Sequence, residues 1–231
     1  KCFREFNVPV VFTLHDYGLA DYRMTLYRKQ SSIAKLSLFN KLLNWHKWRL
    51  LSQMKKVSFV SPSQALLDAL AKFVPLDKYN SFVLKNPIDF KKGTRAISVD
   101  HKPVIGYIGR MHHTKGVDFA LKLIEELNVE LSSNYIFKFA GGGPLESAVT
   151  AVSDRYDNVF NLGFLDQGQV VEFLTEIDLL ITPSVWLENS PVVVQQACVY
   201  GKPVFVSKRG GLVEFVEDGK NGYLLPPTDF S

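Results

Sequence analysis

The chain has 231 residues, 46% hydrophobic and 22% charged, with a net charge of +4. That is apolar material for one large domain or two small ones, and it excludes a disordered chain. The modest positive balance comes with no RNA-binding signature and no Cys/His zinc spacing, which excludes a bulk nucleic-acid binder.

Cys2 and Cys198 build no disulfide framework, and no apolar run is long enough to span a bilayer. With no signal peptide visible, the expected location is cytoplasmic. The first residue is Lys1, not Met, and the sequence stops at Ser231 without a closing element, so it reads as a piece of a longer protein.

In chain order, residues 8–14 read as a strand that runs into His15-Asp16-Tyr17. Residues 31–54 read as a long helix. It carries Lys35, Lys41, Lys47 and Arg49, with Lys55 and Lys56 just beyond and Trp45 and Trp48 between them. Such a helix either packs on a core with its polar face in water, the reading we favour, or lies on an anionic membrane surface. A strand over 57–60 ends at Ser61-Pro62-Ser63, where Ser63 is placed to cap the next helix. A short strand over 81–84 precedes Asn86-Pro87, and the polar stretch 89–102 reads as a linker. Three strands make a thin α/β domain, so 1–88 is expected to be an incomplete one.

From residue 103 onward, strands and helices alternate regularly. Apolar runs at 103–109, 135–140, 158–162, 178–182, 203–207 and 223–225 are separated by helical patterns, notably 117–127, 167–175 and 191–200. Short, nearly continuous apolar strands between amphipathic helices indicate a parallel sheet covered on both faces. Residues 103–231 are therefore expected to form a doubly wound domain whose ligands sit at the carboxyl ends of the strands.

Three of those strand ends carry chemistry. Gly106-Tyr107-Ile108-Gly109-Arg110 is followed by Lys115-Gly116 at the start of a helix. Glycine permits close backbone approach, a helix start offers free N–H groups to phosphate, and Arg110 and Lys115 add two cations. Read alone, the two cations are as well explained as solvated surface residues. The second end is Ala140-Gly141-Gly142-Gly143-Pro144-Leu145-Glu146, a turn expected to open a helix at Pro144. Glu146 stands where G-x-G-x-x-G needs its third glycine, which disfavours a dinucleotide-binding dehydrogenase. At least one of these glycines is expected to serve only the turn.

The third end is Pro183-Ser184-Val185-Trp186-Leu187-Glu188-Asn189-Ser190-Pro191. Asn189 and Ser190 either cap the following helix or, with the nearby N–H groups, hold a phosphate. Glu188 is either a solvated carboxylate or a ligand-facing one, and Gln196 lies about two turns into the helix.

These motifs, in this order and spacing, resemble glycosyltransferase family 4. The resemblance rests on Gly109-Arg110, Lys115-Gly116, Ala140 to Leu145, Pro183-Ser184, Glu188, Gln196-Ala197 and Gly201-Lys202-Pro203-Val204, with 211–222 like the family's closing motif. His15-Asp16 and Ser61-Pro62-Ser63 match its N-terminal domain, and Asn86-Pro87-Ile88-Asp89 matches its interdomain junction.

The resemblance implies the GT-B fold, α/β with two facing Rossmann-like domains: 1–88 on the acceptor side, 89–102 as linker, and 103–231 binding a nucleotide sugar. It implies a retaining enzyme that moves a sugar from a nucleoside-diphosphate donor to a carbohydrate or lipid-linked acceptor, in polysaccharide or glycolipid synthesis. Arg110 and Lys115 would bind the donor diphosphate and Glu188 the sugar hydroxyls. His15 would face the transferred sugar, although a lone strand-end histidine is more simply a structural one. Gly109, Gly142, Gly143, Asn189, Ser190, Pro191 and Gln196 would complete the donor site. No metal cofactor is expected, because two cations already sit at the diphosphate and no carboxylate cluster suits Mg²⁺.

One departure matters. The family pattern has a second Glu where this chain has Gln196. Gln keeps one carbonyl acceptor but loses the charge, at a cost of roughly 1.5–3 kcal/mol for a buried charged hydrogen bond. The competing reading is a non-catalytic nucleotide-sugar-binding module, degenerate at that position.

Overall fold

The computed structural model describes residues 8–20, 38–54, 56–88, 101–131 and 134–226. The chain divides into two units, Lys1–Pro87 with Leu187–Ser190 and Ile88–Trp186 with Pro191–Ser231.

Among its described residues, the first unit carries a parallel sheet of three strands, β1 (Val10–Thr13), β2 (Val57–Ser61) and β3 (Asn80–Val83), in the order β1-β2-β3. Between the first two lies helix α1 (Leu38–Leu51), and helix α2 (Gln64–Ala71) follows β2. The Ser63 hydroxyl accepts from the amide of Leu66 and starts α2, as the sequence predicts. The core gathers Leu14, Tyr17, Leu51, Phe59, Leu66 and Leu70, with the Trp48 ring tilted against Phe59 and Tyr79 edge-on to it.

Helix α1 packs on the core through Leu51 and Trp48 and leaves Lys41 and Arg49 exposed, as expected, but it departs from a simple apolar-in, polar-out helix. Part of its inward side is polar: Asn40 and Asn44 are buried beside Leu51, the Asn44 side-chain amide donates to the Ala20 carbonyl, and the Lys47 ammonium donates to the Gly18 carbonyl. The loop after β1 leaves main-chain carbonyls without sheet partners, and buried carbonyls must be satisfied. Turning these side chains inward leaves Leu38, Leu42 and Trp45 outward, 74%, 61% and 61% exposed. The residues read before Leu38 in this helix lie outside the described ones.

Among its described residues, the second unit holds six parallel strands: β4 (Val104–Ile108), β5 (Ile136–Ala140), β6 (Val159–Asn161), β7 (Leu179–Thr182), β8 (Val204–Ser207) and β9 (Gly222–Leu225). Their order is β6-β5-β4-β7-β8-β9. The chain moves outward from β4 in one direction, then returns to the middle and moves outward from β7 in the other. The carboxyl ends of β4 and β7 therefore flank the topological switch point, where an open α/β sheet leaves a crevice for ligand.

Four helices cover this sheet: α3 (Val117–Leu131), α4 (Glu146–Arg155), α5 (Gln167–Glu176) and α6 (Val192–Val199). Alternation along the strands divides the core in two. Tyr107, Phe137, Phe139 and Ile181 pack with Ile124 of α3 and Val149 of α4. Val104, Leu180, Val204 and Val206 pack with Leu174 of α5 and Ala197 of α6. Each large apolar side chain removed from water contributes about 1.5–3 kcal/mol, so both faces are strongly held. Strand β7 opens after Asp178, whose carboxylate accepts from the amide of Val104 and pairs with the His101 ring at 2.8 Å. Of the linker read over 89–102, only His101 and Lys102 lie among the described residues.

Candidate active site

Each of the three loops singled out in the sequence follows the carboxyl end of its strand. After β4 the chain passes Gly109 and Arg110, with the Arg110 carbonyl held by the Tyr107 hydroxyl at 3.1 Å. The Arg110 side chain is exposed. A tight 3-10 turn over His113–Lys115 follows, and it ends at Gly116 before α3 begins. Lys115 is half-buried in that turn.

The glycine run after β5 lies directly against this loop. The amide of Gly109 donates to the Ala140 carbonyl at 3.0 Å, and the amide of Met111 donates to the Gly142 carbonyl at 2.9 Å. Gly141 has a φ of +119°, and a Cβ there would lie 2.0 Å from the Gly109 carbonyl oxygen. Its glycine therefore serves the contact between the two loops.

The helix expected to open at Pro144 opens two residues later, at Glu146. The amide of Leu145 is drawn to the Met111 carbonyl and that of Glu146 to the Gly143 carbonyl. The Gly142-Gly143-Pro144 segment is thus a turn pinned to the neighbouring loop before the helix starts.

The loop after β7 is tied to the loop after β4 through one residue. The Thr114 carbonyl accepts from the Ser184 hydroxyl at 3.0 Å and from the amides of Val185 and Trp186 at 3.0 and 3.1 Å. The Arg209 guanidinium donates to the Val185 carbonyl from the other side, at 3.1 Å. Gly109, Arg110, Lys115, Gly142 and Gly143 are in this way collected at one end of the sheet. Pro191 and Gln196 belong to the same unit, at the start and in the body of α6; Gln196 is half-buried, while its neighbour Gln195 is buried.

His15, Glu188, Asn189 and Ser190 are collected in the first unit. The Asn189 amide donates to the carbonyl of His15. The Tyr17 hydroxyl donates to the Leu187 carbonyl at 3.2 Å, and the Asn86 amide donates to the Ser190 carbonyl at 3.3 Å. The His15 ring itself is exposed at the carboxyl end of β1, while Asp16 closes a local turn by accepting from the amide of Gly18.

Glu188, Asn189 and Ser190 each have two readings in the sequence, and one of each pair falls away. Glu188 is only 7% exposed, so it is not a solvated carboxylate. The cap of α6 is Pro191, with no capping side chain; the Asn189 side-chain amide donates to the His15 carbonyl, and neither Asn189 nor Ser190 stands at the cap position. Glu188 also leaves an electrostatic mark: burial, and then the Glu188 carboxylate, push the Tyr17 phenol well above its ordinary range.

Tyr17, Thr114 and Arg209 are the residues that sequence reasoning passed over. Tyr17 lies two positions from His15, and Thr114 lies inside the motif between Arg110 and Lys115. Their importance rests on main-chain partners far away in sequence, which no motif displays.

Among the described residues, no group of three or more His, Cys, Asp or Glu comes together as a metal ion would need. Cavities of about 510 and 590 Å³ open beside Lys102 and Ile136, at the amino ends of the strands and away from these loops. No helix among the described residues is long and apolar enough to cross a membrane.

Residues 91–230 match the family model described as glycosyl transferases group 1. The chain is 35% identical over 120 residues to a 2-deoxystreptamine glucosyltransferase of Streptomyces kanamyceticus, covering 49% of this chain and 30% of that protein. It is 29% identical over 138 residues to the amylovoran biosynthesis glycosyltransferase AmsK of Erwinia amylovora, covering 56% and 34%. The matched stretch spans about a third of the length of these curated relatives.

Among solved structures, Anabaena Alr3699/HepE in complex with UDP and glucose superposes with a TM-score of 0.69 at 20% identity, covering 95% of this chain and 58% of that one. S. aureus TarM superposes with a TM-score of 0.68 at 21% identity, covering 95% and 41%. These likenesses show the fold, that of the GT-B glycosyltransferases.

Proposed function

The chain belongs to the glycosyl transferases group 1, and on that premise we propose that the protein moves a sugar from a nucleoside-diphosphate donor to an acceptor hydroxyl, with retention at the anomeric carbon. The observation that carries this reading is the convergence of Arg110, Lys115 and the glycine-rich turn on the carboxyl ends of β4 and β5, beside the switch point with β7.

As the bond between the anomeric carbon and the phosphate oxygen breaks, its electron pair stays on the leaving diphosphate. Fixed cations and main-chain N–H groups pointed at that charge lower the barrier. Arg110 can grip the diphosphate with its planar fork and Lys115 with a point charge. Glu188 holds the sugar hydroxyls and favours positive character at the anomeric carbon, while His15 faces the transferred sugar. Gly109, Gly142, Gly143, Asn189, Ser190, Pro191 and Gln196 line the donor. Because the side chains supply the charge at the diphosphate, no metal is required.

Relatives solved with UDP and glucose make a uridine diphosphate sugar the first donor to try. Relatives named for polysaccharide biosynthesis favour a carbohydrate or lipid-linked acceptor. A second feature bears on the acceptor. The outward stripe of Leu38, Leu42 and Trp45 lies beside exposed Lys41, and the Arg49 guanidinium lies 5.5 Å over the Trp45 ring. Apolar and aromatic side chains bordered by cations suit an anionic lipid surface, which would bring the enzyme to a lipid-linked acceptor.

Calorimetric titration with UDP, GDP and ADP, with and without a chelator, tests the donor site. The expected result is saturable binding that survives the chelator and is lost in the Arg110→Ala, Lys115→Ala double variant. Equal binding by the folded double variant would remove the proposal.

A further inference from the structure

We propose that His112 is a positioning residue. Its imidazole, held as the tautomer with the proton on Nε2, sets the turn that carries Lys115 and, through Thr114, the loop that follows β7. The inference rests on the donor-site reading above and deepens it by naming what holds that site in shape.

His112 is the N-cap of the His113–Lys115 turn, with extended backbone. Its Nδ1 lies 3.1 Å from the amide nitrogen of Thr114 and 2.9 Å from the Thr114 hydroxyl. A main-chain N–H can only donate, so Nδ1 must present a lone pair, and the proton of the neutral ring must be on Nε2. Helix starts normally take this acceptor from Ser, Thr, Asp or Asn. Here an imidazole supplies it. The main chain closes the same turn, with the Lys115 amide donating to the His112 carbonyl and the Gly116 amide to the His113 carbonyl.

What the cap holds is the residue on which the loop contacts converge. The Thr114 carbonyl receives the Ser184 hydroxyl and the amides of Val185 and Trp186, three donors on an oxygen with two lone pairs. Thr114 is therefore fixed on its amide side by His112 and on its carbonyl side by the loop after β7. Without an acceptor at position 112 the Thr114 amide loses its partner. The turn then frays, and both Lys115 and the 184–186 segment lose their common reference. The adjacent His113 does a different job: its Nδ1 is 2.7 Å from the Asp118 carboxylate and ties the turn to the first turn of α3.

Three measurements on the full chain test this. The first is the ¹⁵N signature of the His112 ring in wild-type protein near neutral pH, expected to show Nδ1 unprotonated and Nε2 protonated. The second is hydrogen exchange at the Thr114 and Lys115 amides, expected to speed up in His112→Ala and to stay slow in His112→Asn, whose side-chain oxygen can take over the cap. The third is titration with UDP, GDP and ADP. Loss of a cap should weaken binding about fivefold in the Ala variant, while the Asn variant stays near wild type.

A proton on Nδ1 of the neutral ring, or unchanged exchange in a folded Ala variant, would overturn the inference. So would a failure of Asn to restore what Ala loses. If the wild type binds none of the three nucleotides, the donor-site reading falls by itself, and the ring signature and exchange still decide the role of His112.

Discussion

A Cβ placed on Gly116 would lie 1.9 Å from the carbonyl oxygen of Pro183, and Gly116 has a φ of +73°. One residue thus serves two ends. It reverses the chain between the Lys115 turn and α3, and it lets the loop after β4 lie flat on the loop after β7.

Replacing it should be expensive. Gly116→Ala adds left-handed strain to a contact with main chain that cannot move aside. The expected cost is at least about 2 kcal/mol, or about 4–8 °C in Tm. Scanning calorimetry of the variant checks this, and an unchanged Tm would contradict the close approach.

Alkaline stability should depend on Tyr17. Its phenol is pushed up by burial and then by Glu188, while burial raises Tyr79 and Tyr135 as well. A raised pKa means that the folded state holds protons that the unfolded state releases. The stability linked to them is complete below pH 10.0 and falls as the pH rises above it. Tyr17→Phe should make that decline shallower. At neutral pH it should cost about 1 kcal/mol for the hydrogen bond lost at Leu187. Urea midpoints measured from neutral to alkaline pH, compared with wild type, give both numbers; parallel curves would refute the pH part.

Gln196→Glu offers the opposite sign. If this position meets the nucleotide ribose, a carboxylate would turn a neutral hydrogen bond into a charge-assisted one. Nucleoside-diphosphate affinity should then rise by about tenfold or more. A fall or no change on titration would detach Gln196 from the donor.

The outward stripe of α1 is tested with vesicles. The wild type should sediment with vesicles rich in anionic phosphatidylglycerol and only weakly with phosphatidylcholine. Leu42→Glu with Trp45→Glu should abolish the binding. Self-association of the wild type with no vesicle binding would assign the stripe to a protein contact instead.

Much of the second unit was legible in the sequence because parallel strands buried on both faces must be nearly continuous apolar runs. The runs before Gly109, Gly141 and Pro183 were placed within a residue or two of β4, β5 and β7. The carboxyl-end position of the loops followed from that alternation alone. Helix α1 was harder to read. Its pattern of Lys, Trp and Leu does not say that Asn44 and Lys47 are wanted by the carbonyls of Ala20 and Gly18, more than twenty residues earlier in the chain.

The sequence by itself determined the strands, the glycine turns and the place of Arg110 and Lys115 after a strand end, since each depends on residue type and local spacing. Only the tertiary structure decided that Thr114 joins two loops 70 residues apart, that Gly141 serves a contact with Gly109, and that Glu188 is withdrawn from water. Each of these is a meeting of main-chain groups or a matter of burial. The partners are chosen by how the strands are ordered in the sheet, and neighbouring residues in the sequence carry no record of that order.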